Sequence, residues 1–389
     1  MPRRFQAAFQ TACKSSLKPI PPTQETPSAM TDILRQSAEQ KYAGELQRLA
    51  DKDKKSPKPV GWKLSAHAVR RFILGDDKLG ISRKFYGDDP LIDRALVTLM
   101  GRQGLMLVGE PGTAKSMLSE LLAAAVCGTS QLTIQGTAGT TEDHIKYSWN
   151  YALLLSEGPG EKSLIPSPLY HAMQHGRIAR FEEITRCPAE IQDVLVSLMS
   201  EKRMMVPEMG QDAGIAAAAG FNIIATANLR DRGVHEMSSA LKRRFNFETV
   251  RPIADRAFEV ELVQMQLKNE LEDLHKQVNI RPEVIEILVT VFQELRTGQT
   301  GEGGSLKTPD AVMSTAEAVN TAHAACLQAV YLGNGEMDAG TVARQLVGVV
   351  FKDNAEDAKR LRYYLDTVAK ERARHSQDWQ AFYQAGREM

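Results

Sequence analysis

Several things this chain has little of narrow what it can be. Its four cysteines, Cys13, Cys127, Cys187 and Cys326, lie far apart and form no CxxC pair. A disulfide framework is thereby excluded, and a reduced, cytoplasmic setting is the expectation. No apolar run reaches the length of a membrane span, so no membrane insertion is expected. Net charge is also missing: Lys+Arg and Asp+Glu balance at 48 each, which leaves no global field to gather nucleic acid or anionic lipid. There is no internal repeat and no separate DNA-binding motif. What remains is ordinary for a soluble globular protein, with 43% hydrophobic and 25% charged residues, and 389 residues leave room for two or three domains.

The first residues, Met1 to Gln24, carry Arg3, Arg4, Lys14 and Lys18 and no acid, a faint likeness to a transit peptide. The simpler reading starts the chain at Met30, where Thr31-Asp32 open a patterned helix running to about Ala50. Met1 to Ser28, with Pro19, Pro21, Pro22 and Pro27, is expected to be disordered. Asp51 to Pro59 reads as a charged linker, and Ser65 to Leu74 as a short amphipathic helix with Ser65 as its cap.

The stretch Leu105 to Leu122, LMLVGEPGTAKSMLSELL, organises the rest. Leu105 to Val108 reads as a buried strand. Gly109-Glu110-Pro111-Gly112-Thr113-Ala114-Lys115-Ser116 then supplies two glycines, a lysine and a hydroxyl, and Met117, Leu118, Leu121 and Leu122 follow at helical spacing. Strand, glycine-bearing turn, lysine-hydroxyl and helix is the context of a phosphate-binding loop. Backbone N–H groups close around phosphate oxygens there, and the helix presents its positive end to the same charge. Lys115 would reach the β- and γ-phosphates of ATP, and Ser116 would hold Mg²⁺. Ala114 stands where the pattern GxxxxGK[ST] has glycine; helical geometry is expected at that position.

From Phe85 to Arg251 helices alternate with apolar runs, which argues a parallel sheet covered on both faces. The expected elements are a helix from Pro90 to Met100 and strands at Leu132–Ile134, Arg177–Phe181, Phe221–Thr226 and Phe247–Val250. After Pro252 the pattern turns all-helical, with candidates at Arg256–Leu274, Pro282–Leu295, Pro309–Ala329 and Ala339–Phe351. The four-glycine stretch Gly298 to Gly304 reads as a flexible connection, and Ala355 to Met389 as a charged helical tail.

Ligands of such sheets sit at the carboxyl ends of the strands, and that is where the remaining chemistry falls. Ile178-Ala179-Arg180-Phe181-Glu182-Glu183 ends a strand with two carboxylates. A nucleotide hydrolase needs one acid for Mg²⁺ and one to orient the attacking water; Glu182 is assigned to the metal and Glu183 to the water. Ile223 to Asn228 ends another strand with a neutral amide suited to positioning water beside a γ-phosphate. Ser239-Ala240-Leu241-Lys242-Arg243-Arg244-Phe245 offers arginines that, at a subunit edge, would reach a neighbour's γ-phosphate.

GEPGTAKS, RFEEI, IIATAN and LKRRF follow one another in the order and approximate spacing of an AAA+ ATPase, and the alanine before the lysine resembles the MoxR branch. The resemblance covers about Trp62 to Ala329. Phe85 to Ile92 resembles the family's adenine-side segment, which brings in Tyr86 and Gly87. Gln135 to Thr140 matches the region of its extra loop within helix two, and Arg203 to Pro207 resembles the hairpin before sensor 1. It implies that Gly109 to Ser116 are Walker A, Glu182 and Glu183 Walker B, Asn228 sensor 1, and Arg244 the trans-acting finger with Arg243 as alternative or helper. Two departures stand out. Glu182 replaces the usual aspartate, and Thr308-Pro309 is followed by Asp310 instead of the sensor 2 arginine; Lys307 lies nearby, but sensor 2 is left unassigned.

The expected fold is therefore an α/β P-loop NTPase of AAA+ type, a parallel sheet sandwiched by helices, followed by an all-helical lid and a C-terminal helical extension. The expected divisions are an N-terminal extension over 1–61, the nucleotide-binding domain over 62–251, the lid over 252–330 and the extension over 331–389. The resemblance implies ATP hydrolysis with Mg²⁺ in a homo-oligomeric ring, expected to be a hexamer, that remodels or matures a client complex with a von Willebrand A domain partner. The rivals are an ATP-dependent assembly switch with little turnover, a nucleic-acid motor, and a metal-chelatase motor subunit. His171 and His175, at i,i+4, lack the acid of an HExxH site and read as a plain helix. Gly210 to Gly220, with four consecutive alanines, reads as a mobile hairpin tip rather than a binding motif, and the AAA+ resemblance implies that such a tip faces a pore or client.

Overall fold

Apolar runs too short for helices build the centre of the molecule. The computed structural model describes residues 35–228, 234–271, 278–350 and 354–388. Residues 37–389 form one compact unit.

The described chain enters through α1 (Ala38–Lys41) and α2 (Ala43–Lys52), followed by α3 (Ala66–Leu74) and α4 (Asp89–Met100). The helix expected from Thr31 to Ala50 is thus divided at Tyr42, whose backbone (φ −109°, ψ 23°) is not helical; residues 31–34 lie outside the described ones. α3 is capped as its sequence predicts, with Ser65 Oγ accepting from the Ala68 N–H. Asp53, in the expected linker, accepts from both the N–H and the hydroxyl of Ser65, so the linker folds back onto the helix it precedes.

β1 (Gly104–Val108) leads into α5 (Lys115–Cys127), then β2 (Thr133–Gln135). An excursion follows: α6 (Glu142–Ile145), β3 (Tyr147–Trp149), α7 (Tyr151–Glu157), and β4 (Leu164–Pro166), which pairs antiparallel with β3. α8 (Pro168–His175), β5 (Ile178–Glu182), α9 (Ala189–Glu201), the hairpin β6 (Arg203–Met205) and β7 (Gly214–Ala216), β8 (Asn222–Ala227), α10 (Ser239–Lys242) and β9 (Phe245–Thr249) complete the α/β part. Among the described residues, β2-β5-β8-β1-β9 form one sheet in that order, parallel throughout. β1, β5 and β8 are buried along their whole length, as strands covered on both faces must be. Side chains alternate between two cores: Leu105, Leu107, Ile178 and Ile224 join α3, α4 and α5, while Met106, Val108, Phe181 and Ala225 join α8 and α9.

The four alanines depart from expectation. Ala217 N–H donates to Lys202 O and Ala218 N–H to Met173 O, and Gly220 lies so close to Gly61 and Gly176 that a Cβ on it would stand 2.7 Å from Gly176 O. The run is pinned by its backbone, and the hairpin tip is the stretch before β7.

The helical part comprises α11 (Arg256–Leu271), β10 (Asn279–Ile280), α12 (Pro282–Thr297), α13 (Thr315–Leu332), β11 (Glu336–Met337), α14 (Ala339–Val350), α15 (Ala355–Tyr364) with a π-helical continuation over Leu365–Ala369, α16 (Lys370–Arg372) and α17 (Gln377–Arg387). One apolar cluster runs through it from Val263 to Ala385. α13 starts at Thr315 instead of Pro309, because Ser314 and Glu317 form a capping box and the Asp310 and Ala311 N–H groups are taken by the Asp357 carboxylate. The four-glycine stretch is a closed loop rather than a loose one: Leu306 N–H donates to Gly298 O, Thr300 N–H to Gly304 O, and Gly301 N–H to Glu294. No helix among the described residues is long and apolar enough to cross a membrane.

Candidate nucleotide site

The loop from Gly109 to Ala114 joins the end of β1 to the start of α5, so the first N–H groups of a thirteen-residue helix point into it. Gly112 has φ +74°, and a Cβ there would overlap Ser314 Oγ; only glycine lets the start of α13 rest on this loop. Ala114 corrects the helical expectation. It is left-handed (φ 64°, ψ 22°), the conformation for which glycine is usual at this position. Thr113 Oγ1 donates to Glu110 O, and Lys115 Nζ lies among loop oxygens, 3.1 Å from Gly109 O and 2.6 Å from Glu110 O.

Two further strand ends meet this loop. Ser116 Oγ donates to Glu182 Oε2 over 2.7 Å, joining the pair assigned to Mg²⁺. Thr226 Oγ1 donates to the same oxygen at 2.7 Å and accepts from the Glu183 N–H at 3.0 Å, tying β8 to the end of β5. Glu182 Oε1 receives Ser119 Oγ at 2.5 Å and Arg180 Nη2 at 2.8 Å. Burial pushes the Glu182 carboxyl towards higher pKa, but the Arg180 charge and the three hydroxyls outweigh it and hold the group below the usual range. A serine hydroxyl and a carboxylate oxygen in contact at a phosphate loop are the hard oxygen donors that Mg²⁺ takes, so the residues fit that ion.

Glu183 is left-handed (φ 54°, ψ 46°), which turns its side chain away from that of Glu182; its carboxylate pairs with Arg186 Nε at 2.6 Å. The two acids therefore diverge through a backbone turn at Glu183. Gly136 packs its Cα against the Glu183 backbone, which places the segment 135–140 beside the site. Asn228 is buried one residue beyond β8; since Ala227 is in register with Val108, it is level with the first residue of the phosphate loop. Tyr86 packs its ring against Phe258 of α11 (5.5 Å between centroids) and donates to Arg83 O, with Gly87 exposed beside it.

Arg244 is elsewhere. It precedes Phe245, which is in register with Gly104, whereas the phosphate loop follows Val108 at the other end of β1. Its Nε donates to Ser200 Oγ at 3.0 Å and its Nη1 to Ala240 O, while Arg243 is exposed. Lys307 and Thr308-Pro309 do not start α13; Ser314 does, and the first turn of α13 carries Glu317 and no cation. Arg296 fixes this start, donating to Met313 O, to Ile253 O and to the buried Glu259.

Arg180, Ser119 and Thr226 escaped the sequence reading. A signal existed for the first two. Arg180 is a charge inside an otherwise apolar run, in phase with Glu182 along the strand, and Ser119 follows Ser116 at i+3 on the helix above.

The chain matches the family model of the AAA domain of the dynein-related subfamily over residues 104–245, and that of the YehL-like AAA+ ATPase C-terminal domain over residues 257–389. It is 51% identical over 346 residues to Uncharacterized protein YehL of Escherichia coli (strain K12), covering 88% of this chain and 94% of that one. Chaperone MoxR1 of Mycobacterium tuberculosis is 28% identical over 192 residues, 48% of this chain and 45% of that protein. Among solved structures, NtrX from Brucella abortus in complex with ADP covers 78% of this chain with 64% of its own, at 13% identity and a TM-score of 0.47, too loose a likeness to carry weight. The first match spans nearly the whole of its relative, and the two family models bracket the phosphate loop and the helical part. The chain belongs to the YehL-like, MoxR-type AAA+ ATPases.

Proposed function

We propose that this chain hydrolyses ATP with Mg²⁺ in a ring of identical subunits, probed first as a hexamer, and uses the cycle to remodel or mature a client protein complex. The observation that carries the reading is the Ser116–Glu182 hydrogen bond at the mouth of the loop that holds Lys115. Gly109, Glu110, Pro111, Gly112, Thr113 and Ala114 would wrap the phosphates, Lys115 would take the β- and γ-phosphate charge, and Tyr86 and Gly87 would flank the base. Mg²⁺ held by Ser116 and Glu182 would neutralise phosphate charge. Glu183 would align water with help from Asn228. Arg244 is assigned to the neighbouring subunit's site, because β1, five residues at about 3.3 Å each, separates it from its own phosphate loop.

In this reading 62–251 binds nucleotide, 252–330 is the lid and 331–389 extends it, with 1–61 preceding them in a cytoplasmic protein. The chaperone name of the MoxR1 relative favours a client task, and a partner with a von Willebrand A domain is proposed on the MoxR resemblance. One observation favours a second reading, an ATP-dependent assembly switch with little turnover: the first turn of α13, resting on the phosphate loop, carries no cation to follow the γ-phosphate.

The test is ATPase turnover over a concentration series for the wild type, Glu183→Gln, Arg244→Ala and a mixture of the two variants. Specific activity that rises with concentration, inactive single variants and partial recovery on mixing are expected for a shared site. Tight ATP binding without turnover selects the switch.

A further inference from the structure

The buried arginine of β5 has no part in the assignment above, and its surroundings are specific. Arg180 is 8% exposed and Glu182 5%, and both project from one face of β5 onto α5. Every N–H of the Arg180 guanidinium has an acceptor. Nε donates to Ser119 Oγ (2.9 Å), Nη1 to Ser130 O (3.0 Å) and Thr133 Oγ1 (3.3 Å), and Nη2 to Ser116 O (3.0 Å) and Glu182 Oε1 (2.8 Å). The fork is thus nailed to α5, to β2 and to the connection between them. α5 makes room by placing serines at 116 and 119, one helical turn apart, where its other inward positions are leucine and alanine.

The consequence falls on Glu182. Its two oxygens are divided: Oε1 faces inward to Arg180 and Ser119, and Oε2 faces the loop between Ser116 and Thr226. A glutamate is one methylene longer than the aspartate usual here and has one more rotatable bond, so without a tether its carboxylate would sample several positions. A charge-assisted bond from a guanidinium with no freedom of its own removes that choice.

We propose that Arg180 is a positioning residue for the metal side of the site: by holding Glu182 Oε1 it presents Oε2 beside the Ser116 hydroxyl and sets how strongly Mg²⁺ tightens nucleotide binding. This rests on the nucleotide reading given above. Arg180 meets neither nucleotide nor metal; it acts through Glu182.

The experiment titrates the full chain with a fluorescent ADP, once in EDTA and once in saturating Mg²⁺. The quantity read is the ratio of the two Kd values, and thermal melts check folding. Arg180→Met is expected to lower the ratio about tenfold, the order of one charge-assisted hydrogen bond, with the metal-free Kd within about twofold of wild type. Arg180→Lys keeps the charge but not the fork and is expected to lose about threefold, which keeps the question measurable if the methionine variant does not fold. In the double variant Arg180→Met/Glu182→Gln the ratio should equal that of Glu182→Gln, because both changes remove one function. A wild-type ratio in folded Arg180→Met, or in Arg180→Lys where the methionine variant fails to fold, overturns the inference, as does additivity in the double variant. A wild type that binds no ADP in either condition overturns the nucleotide reading together with it, so the two failures are told apart.

Discussion

Gly112 and Ser314, two hundred residues apart in sequence, are in contact, the glycine of the phosphate loop lying under the N-cap of α13. A side chain at 112 must displace the serine and also adopt φ +74°. Gly112→Ala is expected to destabilise the chain by about 2–4 kcal/mol, from overlap plus left-handed strain. Adding Ser314→Gly should relieve the overlap and leave about 1 kcal/mol of backbone strain, since glycine replaces a serine cap at a cost of only a few tenths. Denaturant unfolding of the two variants measures both parts; no recovery in the double variant would show that the contact is not what makes glycine necessary.

Ala114 is exposed and left-handed, so its methyl group adds strain with little burial to offset it. Ala114→Gly removes the strain and adds freedom to the unfolded chain. The net expected is a gain of about 0.5–1 kcal/mol, a Tm roughly 1–3 °C higher, with ADP affinity within twofold. A lower Tm would mean that the methyl group packs usefully after all.

Cys127, Cys187 and Cys326 are buried, and burial raises each thiol pKa, that of Cys326 to about 12. Raised values shrink the reactive thiolate: at pH 8 the Cys326 thiolate fraction is on the order of 10⁻⁴. In a Cys13→Ser chain, labelling by an aromatic disulfide reagent is therefore expected to be negligible from pH 7 to 9 and complete in denaturant. Prompt native labelling at pH 8 would show that one of these three sites opens readily.

Much of the candidate site could be proposed from sequence because its residues belong to contiguous segments at strand ends. Lys115, Ser116, Glu182, Glu183 and Asn228 are each fixed by one turn after one apolar run, and runs such as Leu105–Val108 declare themselves as buried strands without reference to anything distant. What escaped depends on partners far away in sequence. Arg180 looks like a misplaced charge until Ser119 and Ser130 are brought to it from another layer. The α13 start depends on Asp357 capturing the Asp310 and Ala311 N–H groups, which no local pattern announces. The four alanines looked mobile because their polar anchors are the carbonyls of Lys202 and Met173. Ala114 shows the remaining limit: its residue type favours a helix, and the loop imposes another backbone upon it.

The unbroken apolar cluster from Val263 to Ala385 also bears on where this polypeptide tolerates being cut. Leu346, Leu361, Tyr364 and Phe382 are fully enclosed, and they belong to one apolar cluster with residues of α12 and α13. A premature stop after residue 330 would strip α12 and α13 of part of their apolar packing and expose a greasy face to proteases and chaperones. Residues 331–389 are in this sense not an appendage that evolution or an engineer can trim, but the closing half of the body they follow.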